Sequence, residues 1–399
     1  MDSDRRSPAA AAAAASAASV LSDDDLLREI LLRLGFPNCL VHAALVSKRW
    51  LHHASAPAFL RRFRDRNPPR LLGFCLCYSI AYQCQFVPLP QPPELAAPSR
   101  RAASSCDDAF ARRSLRTKHC RNGRLILDSF HDDILEHALL APLLAGELAA
   151  VLPRTPQRNR GFEDRTQKGF TGMFLPGDGG CDGITLVNLW KIERKAYAEV
   201  YVLGSGGWGV PAGSVAEVEL PDNTFLTKML PPVNGKLFME TSFGCTMGLD
   251  LAAASFFTLE LPAGVQSNYM LSCAEESGLY LVSADGFQLS VWLHGMTGGG
   301  NGAGGWLLVD TFCVHETHTR LPHGNYVDVV AVGDNADFVF LDHRASGAVF
   351  YVHLKSRVVE KVHQRKTREF ATSRIDISPF MMIWPPVLPA RNVGHDQEE

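Results

Sequence analysis

No stretch of the 399-residue chain approaches the roughly 18 to 20 apolar residues that a helix needs to cross a bilayer, and nothing in it reads as a membrane span. An excess of one charge is also missing. The 39 Lys and Arg against 42 Asp and Glu leave a formal net charge of -3, which gives no overall field for drawing in a phosphate backbone and speaks against general nucleic-acid binding. Cysteine is sparse: ten are spread along the whole chain, far below the density of a disulfide-stapled secreted domain, and no Asn-x-Ser/Thr acceptor occurs. Cysteine usage of this kind fits a reducing compartment, cytoplasm and/or nucleus, with Cys75, Cys77 and Cys84 read as ordinary thiols.

Several chemical signatures are lacking too. The glycine strings at Gly177–Gly180 and Gly298–Gly305 do not end in the Gly-Lys-Ser/Thr that a phosphate loop requires. His315-Glu316-Thr317-His318 places its second histidine at i+3 where a zinc-protease helix needs i+4. Cys75, Cys77 and Cys84 are too irregular for a zinc ribbon, and no Gly-x-Ser-x-Gly elbow is found. The sequence therefore implies no hydrolytic or redox centre, no metal and no cofactor.

What is present falls into four stretches. Residues 1–20 join Asp2, Asp4, Arg5 and Arg6 to the tract Ala9–Ala15. Alanine is too small for a signal-peptide core and the two acids argue against a transit peptide, so this part reads as a disordered leader. Residues 21–66 read as three short helices. Ser22 followed by Asp23, Asp24 and Asp25 suits a helix start, and Leu26, Leu27, Ile30, Leu31 and Leu34 recur at helical spacing. Pro37 opens a second helix, and Ser47 opens a third carrying Lys48, Arg49 and Trp50. A unit of about 40 residues lies at the limit of independent folding, and three short helices cannot cover both sides of such wide apolar faces. This head calls for a partner. The arginine run at 61, 62, 64, 66 and 70 reads as a solvated helix end in preference to a nucleic-acid contact.

The stretch from Leu21 to Leu34, then Pro37, Leu40 and Leu45-Val-Ser-Lys-Arg-Trp50, resembles an F-box. Two positions depart from that family's pattern: Ser22 stands for the usual proline and Ser47 for the usual cysteine. The resemblance implies docking on a Skp-type adaptor, and through it on a cullin-RING ubiquitin ligase. Its implied adaptor-facing set is Leu21, Ile30, Leu34, Pro37, Leu40 and Val46, with Leu27, Leu31, Leu45 and Trp50 holding the helices together.

From residue 70 to about 390 the helical period gives way to short apolar runs punctuated by Gly, Pro, Asp and Asn, the pattern of many strands. One turn followed by an apolar triplet recurs at Asn122-Gly123, Asp182-Gly183, Asn234-Gly235, Ser277-Gly278 and Asn335-Ala336. The intervals bracket the roughly 40 to 50 residues of a four-stranded propeller blade. No such unit buries its own faces, whereas a ring of them does so and hides the strand edges. Leu71–Leu76 and Phe380–Trp384 are both strand-like and suited to closing the ring. Trp208 and Trp306 fit inter-blade packing better than ligand stacking. The Pro-rich stretch from Pro88 through Lys118 reads as an insert, and residues 391–399 as a disordered tail.

The runs Asp310–Glu316, Val332–Phe340 and Pro379–Trp384 look like the F-box-associated propeller of plant F-box proteins, those of grasses above all. The expected architecture is therefore an α+β multidomain chain: a three-helix F-box followed by an all-β propeller of about six blades. The expected function is substrate recognition in an SCF-type ubiquitin ligase, with no catalysis by this chain and an unidentified protein as target. A propeller enzyme or glycan-binding module, and a scaffold outside degradation, stand as alternatives. Candidate target loops carry Gly204 and Trp208, Gly295 and Gly305, and His318 and His323.

Overall fold

The structure is a computed structural model that describes residues 20–78, 83–112, 115–131, 134–144, 150–156, 170–176, 183–209, 215–221, 224, 226–242, 246–274, 278–295, 305–314, 326–365 and 374–388. The expected leader and tail lie outside these residues, save Val20. The chain forms two compact units that do not follow chain order. One gathers Met1–Leu71, Gln91–Ala97 and Met381–Glu399; the other gathers Leu72–Pro90 and Pro98–Phe380. A short internal segment and the C-terminal segment thus join the helices in one compact unit.

From Asp24 to Arg66 the first unit holds four helices where three were expected over residues 21–66. Helix α1 (Asp24–Leu32) is capped by Asp23, one residue beyond the anticipated Ser22; its carboxylate accepts from the N–H groups of Asp25 and Leu26 at 2.9 and 3.0 Å. Helix α2 (Pro37–Ala44) opens on proline, whose missing N–H costs nothing in a first turn. Helix α3 (Lys48–Ala54) is capped by Ser47, whose hydroxyl accepts from Trp50 N–H at 3.2 Å. Helix α4 (Pro57–Arg66) follows a break at Ser55–Ala56, because a second helix-opening proline, Pro57, restarts the chain there. Leu27, Leu31, Leu40, Ala44, Ala54, Phe59 and Phe63 form its core. Helices of seven to ten residues leave that core open, and Trp384 fills it, stacked on Phe63 with ring centroids 6.0 Å apart. Asn38 Nδ2 donates to Glu94 O at 2.9 Å, tying the internal segment to α2. Arg61, Arg62 and Arg66 are exposed on α4, and Arg62 pairs with Glu29 at 3.0 Å, as a solvated helix end should.

The second unit is a six-bladed propeller. Strands β1 (Leu71–Tyr78) and β2 (Gln83–Pro88) precede helix α5 (Ala96–Arg112). Blade 2 follows as β3 (Leu115–Arg121), β4 (Arg124–His131), β5 (Ile134–Leu140) and β6 (Ala150–Val151). Blade 3 contains β7 (Phe170–Phe174), β8 (Thr185–Ile192), β9 (Lys195–Gly204), β10 (Gly207–Gly209) and β11 (Val215–Glu219). Blade 4 is β12 (Leu226–Met229), β13 (Lys236–Thr241), β14 (Thr246–Asp250) and β15 (Ser255–Leu259). Blade 5 is β16 (Tyr269–Cys273), β17 (Leu279–Asp285), β18 (Gln288–His294) and β19 (Trp306–Cys313). Blade 6 is β20 (Asp328–Val332), β21 (Phe338–His343), β22 (Ala348–His353) and β23 (Val358–Gln364). The final strand, β24 (Ile375–Met381), pairs with β1 and completes blade 1 in the order β2-β1-β24. The two chain segments expected to close the ring do so, with the last strand shifted so that Met382–Trp384 fall beyond it.

The recurring turn marks one place in five blades, between the first and second strands. Asn122-Gly123 (φ 51° and 69°) and Asn234-Gly235 (φ 50° and 73°) adopt the left-handed backbone that Asn and Gly tolerate best. Asn335 (φ 56°) does the same before β21, while Gly183 and Gly278 lead into β8 and β17.

Each neighbouring pair of blades is joined by named contacts. Thr117 N–H of β3 lies 3.4 Å from the sulfurs of Cys77 and Cys84. His119 meets Phe174 edge-on, with centroids 5.5 Å apart. Leu189 and Ala198 share a core with Leu237 and Leu249. The hydroxyls of Thr246 and Tyr269 are 2.6 Å apart. Asn268 donates to Val327 O and accepts from Val329 N–H, at 2.8 and 2.7 Å. Phe74 packs on Phe340 at 4.8 Å and returns the ring to blade 1.

Two expectations change. The stretch read as a Pro-rich insert contains α5, whose buried side chains are the small Ser99, Ala102 and Cys106 at helical spacing. Cys77 and Cys84, read as thiols, are joined in a disulfide, because the β1–β2 register sets them directly opposite each other.

Blade 6 also encloses charge. Asp328 and Asp342 are cross-strand partners, an arrangement that repels unless neutralised. Arg344 meets Asp328 at 2.5 Å and Arg365 meets Asp342, with both members of the second pair fully buried. Burial pushes the Asp342 carboxyl up to about 6, against the pull of the Arg365 guanidinium. Removing one partner leaves a buried charge alone, so Asp342→Ala should cost about 3–5 kcal/mol in equilibrium unfolding, whereas the double replacement Asp342→Leu with Arg365→Met should cost far less. Equal losses for the single and double variants would show that the pair is not coupled.

Candidate functional site: an apolar surface on the helical unit

Burial within the first unit separates its leucines. Leu27 and Leu31 are completely enclosed, as expected of core residues, and Trp50 is partly buried against that core. Leu45, expected in the core, is 63% exposed, and its neighbour Val46 is 65% exposed. The reason is the end of α2 at Ala44: Pro37, Leu40 and Ala44 form the inward stripe, and the next two residues lie in the turn before α3. Pro37 and Leu40, expected to face a partner, are therefore buried in the unit's own core. Leu21, Ile30 and Leu34 are half-buried. Leu26 is 47% exposed and one turn from Ile30, so α1 presents a second apolar stripe outside its inward pair of Leu27 and Leu31.

Arg49, noted in the sequence only as part of the Lys-Arg-Trp run, organises the start of α1. Its guanidinium donates to the carbonyls of Leu21 and Ser22, the latter at 2.6 Å, and to Asp24 Oδ1 at 2.8 and 2.5 Å. His53 Nε2 lies 3.0 Å from the same carboxylate oxygen. The Arg49 hydrogen bond, followed by that of His53, holds the Asp24 carboxyl below the usual carboxylate range. An arginine in a Lys-Arg-Trp run carries no sequence signal of a carbonyl clamp. It becomes one because α3 brings it back to the residue where α1 begins.

On the propeller, the candidate target loops are not brought together among the described residues. Gly204 pairs with Gly207 in the β9–β10 hairpin. Trp208 donates its indole N–H to Pro153 O at 3.1 Å, and Trp306 donates to Glu260 O at 2.7 Å. Each acceptor lies just past the last strand of the preceding blade, β6 or β15, so both indoles pin one blade to the next. Gly295 and Gly305 flank residues 296–304, and those residues, like His318 and His323, lie outside the described chain. Among the described residues no group of three or more His, Cys, Asp or Glu is placed to hold a metal ion. The perturbed groups there are explained by packing: burial lowers His119 to about 3 and raises Cys273 to about 12, the latter aided by Asp334. Leu307, Leu308 and Val309, an apolar run read from the sequence as a strand, are exposed on β19 by 64, 45 and 51%. Val309 falls at the register shift opposite Val291 and Trp292.

The family described as "F-box protein AT5G49610-like, beta-propeller" matches residues 116–388, and the F-box domain matches residues 23–62. No curated protein matches the chain. Among solved structures, a chain of a nidogen/laminin complex is 11% identical, with a TM-score of 0.39 over 78% of this chain and 100% of that one. A chain from a study of two prolyl endopeptidases is 12% identical, with a TM-score of 0.35 over 89% of this chain and 55% of that one. A putative 6-phosphogluconolactonase from Bacteroides uniformis is 7% identical, with a TM-score of 0.31 over 66% and 72%. Scores this low carry no inference.

The Arg49 clamp predicts that Arg49→Ala speeds amide exchange in residues 21–25 by about tenfold or more, while exchange in the Leu27–Leu31 turn changes little. Because the Asp24 pKa is depressed, the clamp is present above the unfolded value of 3.8 and is lost only as pH falls through the lower folded value. Protection of this segment, corrected for intrinsic rates, should therefore be flat from neutral pH down to about 4.

Proposed function

The chain belongs to the F-box proteins with an AT5G49610-like β-propeller, and from that premise we propose that it is the substrate-recognition subunit of an SCF-type ubiquitin ligase. The helical unit docks on a Skp-type adaptor, which leads to the cullin-RING machinery. The propeller holds a target protein. The chain contributes no covalent chemistry; it raises the effective concentration of target lysines beside a charged conjugating enzyme.

The observation that carries this reading is the solvent exposure of Leu26, Leu45 and Val46 on a unit too small to leave apolar surface open without cost. These exposures support Leu26, Leu45 and Val46 as adaptor-facing, with the half-buried Leu21, Ile30 and Leu34 as further proposed members and Pro37 and Leu40 serving the core. A cytoplasmic and/or nuclear site of action accords with the six free cysteines among the described residues. None of the described helices is long and apolar enough to cross a membrane.

Leu45 and Val46 each leave about two thirds of their surface open. Covering that open surface contributes about 1–2 kcal/mol apiece. Leu45→Asp with Val46→Asp should therefore weaken adaptor binding by at least about 30-fold in a titration of purified proteins, with the melting temperature of the free chain nearly unchanged. Undiminished binding by this folded variant would overturn the proposal.

A further inference from the structure

Cys77 and Cys84 stand directly opposite in the β1–β2 ladder, with Cα atoms 4.2 Å apart and their sulfurs bonded. Among the described residues the other cysteines, Cys39, Cys75, Cys106, Cys120, Cys273 and Cys313, are free thiols, and strand register singles out this pair. We propose that Cys77–Cys84 is a reversible thiol–disulfide site whose co-reactant is a low-molecular-weight thiol/disulfide couple of the glutathione class.

Three features support exchange at this place. The paired positions run from Gly73↔Pro88 to Tyr78↔Gln83, so the ladder holds the two sulfurs face to face whether or not they are bonded. The cysteines are only 7 residues apart in sequence. A cross-link over so short a loop removes less entropy from the unfolded chain than a long-range one, so a propeller of this size stays folded in both states. Finally, the sulfurs differ in access and share a donor. Cys84 is half-buried while Cys77 is 1% exposed. Thr117 N–H, from the neighbouring blade, lies 3.4 Å from each sulfur, where it favours the thiolate form of whichever one is released.

Reduction then has a defined course. A small-molecule thiolate attacks Cys84 Sγ, the Cys77–Cys84 bond breaks, and its electron pair remains on Cys77 Sγ facing Thr117 N–H. A second thiolate attacks the small-molecule sulfur of the mixed disulfide and releases Cys84 as thiolate. The two protons lost when the attacking thiols ionise are taken up by the two released protein thiolates. The protein disulfide and two thiols become a protein dithiol and one small disulfide; oxidation runs the same steps in reverse.

The test equilibrates the full native chain in glutathione buffers from fully reduced to strongly oxidising, quenches exchange with acid, alkylates the free thiols in denaturant so that the buried Cys77 is reached, and locates them by peptide mass spectrometry alongside a melting curve of the native chain. Cys77 and Cys84 should gain and lose label together, with a midpoint inside the buffer range and a melting temperature that differs by only a few degrees between the two ends. In Cys84→Ser, Cys77 should remain a thiol or a glutathione mixed disulfide throughout. Three outcomes would overturn the proposal: a disulfide that yields only when the chain unfolds, a pair that stays reduced in every buffer, or prior oxidation of another pair such as Cys75 with Cys106.

Discussion

The pairing of β24 with β1 is the constraint on which the rest of the molecule depends. A four-stranded antiparallel blade exposes two apolar faces and cannot bury them alone; the faces disappear only when every blade has a neighbour on each side. Five blades are continuous in sequence. The sixth must be assembled from strands at opposite ends of the propeller sequence, Leu71–Tyr78 and Ile375–Met381. Phe74 on Phe340 shows what this achieves, since two fully buried rings from the first and last blades meet only in a closed ring. The segment that follows the closing strand supplies Trp384 to the helical core. One stretch of about a dozen residues therefore completes both cores.

The blades were legible because their signal is local and chemically restricted. Left-handed backbone at the first turn admits few residue types, and Asn-Gly or a close relative recurs wherever it is needed. Helix α3 was legible for the same reason, through the serine that caps it. Other features depend on information that periodicity does not carry. Leu40 and Leu45 look equivalent in sequence, yet a helix ending at Ala44 buries one and exposes the other. The inward face of α5 is built from Ser99, Ala102 and Cys106, residues too small or polar to register as an apolar stripe. Phe63 and Trp384 belong to one core but to opposite ends of the chain. Cys77 and Cys84 become partners only once the β1–β2 register is fixed.

The same contrast separates structural from functional chemistry. His119 and Asp342, both strongly shifted, lie inside or between blades and owe their shifts first to burial. The paired tryptophans at 208 and 306 use their polar edges to bind neighbouring backbone. Nothing in these arrangements resembles an acid–base pair waiting for a substrate. What the helical unit offers is apolar surface around a clamped helix start, with Arg49 fixing residues 21–24 so that the surface is presented in one conformation. On the proposed function, that surface is organised in advance of its partner.

Closure is open to direct measurement by native-state hydrogen exchange on the full chain. Amides of Leu72–Cys77 and of Ile375–Phe380 should exchange as slowly as those of the second strands of blades 4 and 5, because all of them open only when the ring does. If β1 and β24 exchanged at the rate of surface turns while the other blades stayed protected, the ring would not be held shut by its ends, and the account of a single closed propeller would fail.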